Sequence, residues 1–226
     1  MNLIYNNKTP VGINYNNNKI ETLNYNDEPV WTDEPYKKLE YIESVGKQYI
    51  DMNTANTLTS GCKVETNVSF ASPTTRQCIF GTEVASPFYR NYLFKTSSGF
   101  ECGAYDYNNV RYSVSANQIL EIDYSTIKGN NYLKVNNSTI WSNKDNHDRA
   151  ASSLYLFAFH NRFNRANEYS TMRLYFFKLY NSNNELIRDL IPVERKSDNV
   201  ICMFDKVTKT FYTNLGTGEF TAGPEI

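Results

Sequence analysis

The chain has 226 residues, a formal net charge of −1 and only two histidines. Near-neutrality excludes a protein that grips duplex nucleic acid through a basic face, and no apolar run approaches the roughly 18 residues that cross a bilayer as a helix. Asn is the commonest polar residue, with 18 Tyr and 13 Phe beside it, a bias that disfavours helix and favours strands and tight turns.

The N-terminal segment carries a repeat. Tyr5-Asn6, Tyr15-Asn16 and Tyr25-Asn26 recur at even spacing, with Leu3, Ile13 and Leu23 two places before each Tyr and Asn or Asp after each pair. A short strand, an Asn/Asp turn and a second short strand generate that pattern. Units this small bury no core of their own. Residues 1–31 are therefore expected to form a docking or oligomerisation arm, with Tyr5, Tyr15, Tyr25 and Trp31 as its contact residues. The opening Met1-Asn2-Leu3-Ile4-Tyr5 lacks the basic and apolar regions of a secretory signal, so assembly in a cytoplasm is expected. Residues 32–35 (Thr32-Asp33-Glu34-Pro35) read as a linker, because Pro restrains its predecessor and interrupts pairing.

The main domain spans 36–226 and reads as strand and turn throughout. Tyr41–Ser44 and Gln48–Asp51 flank Val45-Gly46-Lys47, a hairpin signal. Lys63–Phe70 alternates, with Val64, Thr66, Val68 and Phe70 on one face, as in a half-buried antiparallel strand. Further strands are predicted at Gln77–Thr82, Tyr92–Lys95, Phe100–Tyr107, Val110–Val114 and Ile119–Tyr124. Tyr132–Val135 and Ser138–Trp141 follow, joined by an Asn136-Asn137 turn. Ser153–Phe159 and Met172–Tyr180, dense in Leu, Phe and Tyr, are predicted as inner strands. No stretch carries a convincing 3.6 period, so the fold class is all-β, a sandwich of many short strands. Cys62, Cys78, Cys102 and Cys202 are dispersed among apolar or small residues and read as buried free thiols rather than zinc ligands.

Two segments carry a family resemblance. Lys38-Leu39-Glu40-Tyr41-Ile42-Glu43-Ser44 through Gln48-Tyr49-Ile50-Asp51 resembles the opening of concanavalin A-like, LamG-type jelly rolls of phage tail and bacterial surface proteins. Arg188-Asp189-Leu190-Ile191-Pro192-Val193-Glu194 through Val200, continued by Met203-Phe204-Asp205-Lys206-Val207 and Phe211-Tyr212-Thr213-Asn214, resembles their closing segment. The resemblance implies a two-sheet antiparallel jelly roll with one concave face that serves carbohydrate or protein contacts. It also implies a virion component of a tailed bacteriophage: a tail fibre, baseplate part or capsid decoration that adheres to a host-surface glycan. In that reading the arm binds other virion proteins or further copies of the chain, and homo-oligomers are expected. A bacterial surface carbohydrate-binding module is the alternative, and a glycan depolymerase a further one.

No catalytic set is predicted. Glu121-Ile122-Asp123 supplies two acids at strand spacing, but positions 125 and 126 are Ser and Thr, where a glycanase of this fold needs a further Glu. His147 falls in a polar loop and His160 ends an apolar strand, and no Gly-x-Ser-x-Gly elbow supports a triad. Asp145, Asp148 and nearby Asn residues could offer oxygen to calcium, yet the spaced acidic loop of a calcium site is missing, so no metal or cofactor is assigned. Sugar binding needs exposed rings and planar polar groups. Tyr105, Tyr107, Arg111, Tyr112 and Trp141 have that character and are the expected glycan-binding residues.

Overall fold

The computed structural model describes residues 34–85, 89–103 and 108–226, and the backbone alone of 13–15, 18–20, 22–25 and 28–32. Among these residues every regular element is a strand. Two sheets make the sandwich. In the large sheet the order runs Ser138–Asn143, Asn130–Val135, Leu120–Ile127, Lys63–Phe70, Met172–Tyr180, Leu186–Arg195, Ile201–Asp205, Thr210–Tyr212. In the small sheet it runs Asn108–Arg111, Gly99–Gly103, Arg90–Thr96, Gln77–Glu83, Tyr155–Leu156, Ile50–Asp51. The ladders are antiparallel except one, in which Phe159 and His160 run parallel to Gly81 and Thr82.

Alternation sets which face each strand buries. Val64, Val68 and Phe70 on one strand, and Leu120, Ile122 and Tyr124 on its neighbour, point inward with Leu174, Phe177 and Leu179. Phe80, Leu93 and Phe100 meet them from the small sheet. Each such side chain, fully buried, contributes about 1.5–3 kcal/mol. Tyr124 spans the gap between sheets: its hydroxyl donates to Tyr92 O at 3.0 Å and accepts from Gly103 N at 3.1 Å. A separate small core of Tyr36, Val193, Cys202 and Phe204 covers the outer face of the large sheet near its far edge. All four cysteines are buried free thiols.

Val45-Gly46-Lys47 is not a hairpin, contrary to its sequence signal. Ile42–Glu43 pairs with Arg173 and Leu174 in the large sheet, whereas Ile50–Asp51 pairs with Tyr155 and Leu156 in the small one. The segment between them crosses the end of the sandwich. Its backbone bonds are taken by another loop, with Thr217 N donating to Lys47 O and Leu215 N to Tyr49 O. The buried Gln48 amide locks the crossing: its oxygen accepts from Val45 N and Ser44 Oγ, and its nitrogen donates to Thr217 O.

The strand predicted over Ser153–Phe159 is divided at Phe157, whose φ of 65 is left-handed, a costly conformation for a bulky residue. There the chain reverses. Leu156 pairs antiparallel with Phe80, and Phe159 then pairs parallel with Gly81. The Phe157 ring is buried against Phe220 at 4.9 Å, and its N–H donates to Ile79 O.

In the arm, Ile13–Tyr15 pairs with Asn18–Ile20, and Thr22–Tyr25 with Glu28–Thr32. These are two separate two-stranded sheets. Tyr15 and Tyr25 are the last residues of the first strand in each pair. Trp31 stands opposite Leu23 in register. Tyr5 lies outside the described residues.

Candidate functional site

The reversal at Phe157 builds the most functionally suggestive surface of the molecule. It sets Phe159 and His160 beside Gly81 and Thr82 as a parallel ladder of the small sheet, and the chain returns through Arg165–Asn167 as a hairpin. Gly81 makes this approach feasible, because the Phe159 ring occupies the space above it. Tyr92, Phe94 and Phe159 form the floor, with ring centroids 5.4–6.2 Å apart. A trough of about 300 Å³ opens above, lined also by Arg76, Glu83, Arg90, Arg162, Phe163 and Glu168.

The polar groups are planar and mutually oriented. Arg76 lies 3.8 Å above the Phe94 ring, as a cation–π pair. Its guanidinium engages Glu101 through two nitrogens and Glu168 at 2.9 Å. Burial lowers the Arg76 pKa, but the two carboxylates outweigh it, and the net direction is upward. Arg90 Nε donates to Glu83 at 2.9 Å, and Arg162 N meets the other oxygen of the same carboxylate. Such charge-assisted pairs hold both side chains in one orientation. One acceptor is left over: Asn167 Oδ1 is buried and has no partner.

The hairpin tip is rigid. Asn161 Oδ1 accepts from Phe163 N and Arg165 N, and Asn164 takes a left-handed φ of 58. His160 is buried and stacks on Tyr155 at 4.0 Å. Its Nδ1 meets Ser153 O, and its Nε2 meets Asn164 Oδ1. His160 is thus an anchor of the hairpin. Phe163 at the tip is 68% exposed, a large ring offered to solvent beside the trough.

A larger cavity, about 650 Å³, lies on the outer face of the large sheet. It is lined by apolar rings and lysines and has no comparable array of paired planar groups.

The residues singled out by sequence do not converge on the trough. Arg111 is exposed at the outer edge of the small sheet. Tyr112 leans on Phe100 at 5.9 Å, and Trp141 stacks over the buried Tyr124 at 6.5 Å. Both of these aromatic side chains help close one edge of the core between the sheets. Tyr105 and Tyr107 lie outside the described residues. Glu121 is exposed, and Asp123 on the same outer face binds Tyr132 and Lys134. His147 and Arg149 both engage Asp145, while Asp148 pairs with Lys128. The carboxylates weighed for calcium are therefore ion-paired, and no group of metal-ligating side chains occurs among the described residues. The trough residues carried one readable signal, the polar run Asn161-Arg162-Phe163-Asn164-Arg165 with a single ring inside it.

No protein-family model and no curated protein matches the chain. Among solved structures it is similar to a candidate carbohydrate-binding protein from Bacteroides ovatus ATCC 8483, with a TM-score of 0.59 and 12% identity over 82% of this chain. The chain spans 60% of that structure's length. The heptameric SAP-like pentraxin of Limulus polyphemus aligns over 86% of this chain and 97% of its own, at 10% identity and a TM-score of 0.48. The all-β jelly-roll sandwich anticipated from the two bracketing segments is the fold of this protein.

Proposed function

We propose that this protein is a lectin-like, non-enzymatic module that binds carbohydrate in the trough on the outer face of the small sheet. The observation that carries the reading is the unpaired, buried Asn167 Oδ1 set among planar Arg and Glu groups beside the exposed Phe163 ring. Aromatic faces take the C–H faces of sugars, and fixed planar acceptors and donors take hydroxyls. An unmet acceptor in such a place favours a ligand that donates a hydroxyl hydrogen. The structural likeness to a candidate carbohydrate-binding protein supports the same ligand class. The carboxylates of Glu83 and Glu168 are held by guanidinium groups, an arrangement suited to orienting hydroxyls.

A glycan array probed with the full chain tests this. Phe163→Ala and Asn167→Ala should each weaken the best ligand by about tenfold, as loss of a stacking or hydrogen-bonding group does, and Arg111→Ala should bind as the parent does. Failure to bind any glycan, or loss through Arg111 and Trp141 variants alone, would move the site or remove it.

The finer reading places the module on a tailed-bacteriophage particle, fixed through residues 1–31. It rests on the resemblance of the two bracketing segments and on the separate sheets of the arm. Particles assembled with a chain lacking residues 1–31 should lack the protein, and its normal incorporation would end that reading.

A further inference from the structure

We propose that the groove on the outer face of the large sheet receives the N-terminal arm of a second copy of this chain. Its floor is the separate small core: Tyr36 lies 4.7 Å from Phe204, and Phe204 lies 5.0 Å from Phe211, with Ile191 beside them. Ile191 and Phe211 remain partly open to solvent. The groove is also where the arm joins the sandwich, because Glu34, Pro35 and Tyr36 line it.

Composition and charge fit the arm to this place. The last arm hairpin, residues 22–32, brings Leu23 opposite Trp31 in register. It carries two carboxylates, Asp27 and Glu28, and no cation. On the groove rim Lys38 and Lys209 form no ion pair among the described residues, whereas Lys206 is matched by Asp189. Glu34 and Glu40 sit on the same rim, so the complementarity belongs to the two unmatched lysines. A two-stranded hairpin is marginal by itself in water, and an apolar groove supplies the missing cover.

The neighbour's arm fits better than the chain's own. Only residues 33–35 separate Thr32 from Tyr36, and Pro35 confines Glu34 to extended conformations. A hairpin leaving Tyr36 has too little chain to double back over the groove that Tyr36 itself floors. Arm-to-groove exchange is either reciprocal in a two-fold dimer or head-to-tail in a ring.

Sedimentation velocity of the full chain over a concentration series tests the proposal. The parent should self-associate. Lys38→Glu with Lys209→Glu should raise the dissociation constant by about tenfold, the worth of two rim ion pairs. Adding Asp27→Lys and Glu28→Lys to that variant should restore association, a result that unfolding cannot mimic. Trp31→Ala should also weaken it. A parent that stays monomeric, a charge-reversed groove that associates as the parent does, or a compensated variant that fails to recover would each overturn the assignment.

Discussion

Phe159 and Gly81 occupy one another's space: a Cβ at position 81 would stand 2.6 Å from Cδ2 of Phe159 and 3.0 Å from the Tyr92 Cβ. Gly81→Ala must push the ring off the sheet. Overpacking of this kind costs about 1–3 kcal/mol. Urea unfolding should show that loss, and glycan binding should fall with it, because the displaced ring carries Asn161, Arg162 and Phe163. Unaltered stability in the variant would mean that the hairpin is not seated as described.

Among the described residues Arg149 is the largest wholly buried polar side chain, and its guanidinium is fully engaged. Nε donates to Thr126 O at 2.7 Å, Nη2 to Asn131 Oδ1 at 2.8 Å, and Nη1 meets Asp145 and His147 O. Arg149→Leu removes one of the two charged partners of Asp145 and orphans the amide and carbonyl oxygens. The expected cost is about 3–5 kcal/mol, that of breaking a buried pair from one side. Chemical denaturation measures it directly.

The same cluster sets an acid dependence. Burial pushes the Asp145 pKa up, but bonds from the His147 backbone and ring and the charge of Arg149 outweigh it, and the group is held below its ordinary 3.8. A carboxylate depressed on folding contributes stability that is present above its unfolded pKa and lost as pH falls through the folded one. Stability should therefore decline below about pH 3.8 in the parent. Asp145→Asn should be less stable at neutral pH and show a shallower decline there. Parallel pH–stability curves for the two proteins would contradict the assignment.

Burial pushes the thiol pKa values up, to about 11 for Cys62 and Cys202, with Cys78 and Cys102 also raised. The thiolate is the reactive form. At pH 8 the folded protein should release negligible thionitrobenzoate from Ellman's reagent, and addition of guanidinium chloride should release four equivalents. Prompt labelling of the folded protein would show an open path to one of these thiols.

The arm strands pair only with one another. Deleting residues 1–31 should leave the sandwich folded, with stability changed by less than roughly 1 kcal/mol, as for surface changes remote from the core. A large loss in thermal unfolding would show the arm to be part of the sandwich core.

Much of this architecture was legible residue by residue. Met172–Tyr180 and the alternating Lys63–Phe70 occupy the strands predicted for them, because period-2 patterning reports burial directly. What misled was local. Val45-Gly46-Lys47 has hairpin chemistry, but the partner that decides its path is a loop near residue 216, far along the chain. Phe157 offers no hint of a reversal, since a left-handed Phe is held there by packing against Phe220 and by Ile79 O. The trough depends on that reversal, and of its lining only the polar run Asn161–Arg165 with its single ring was legible in the sequence. Tyr112 and Trp141 had the composition of a sugar site, yet an aromatic at a sheet edge can turn either way, and these two rest partly buried against the core.

The groove and the trough open on opposite sheets. A support that held the molecule at the groove would stand on the side of the large sheet, and the trough would face away from it. Copies linked arm to groove would carry their troughs at a fixed spacing. Such an array would select surfaces by the density of their sugars as much as by the sugars' identity.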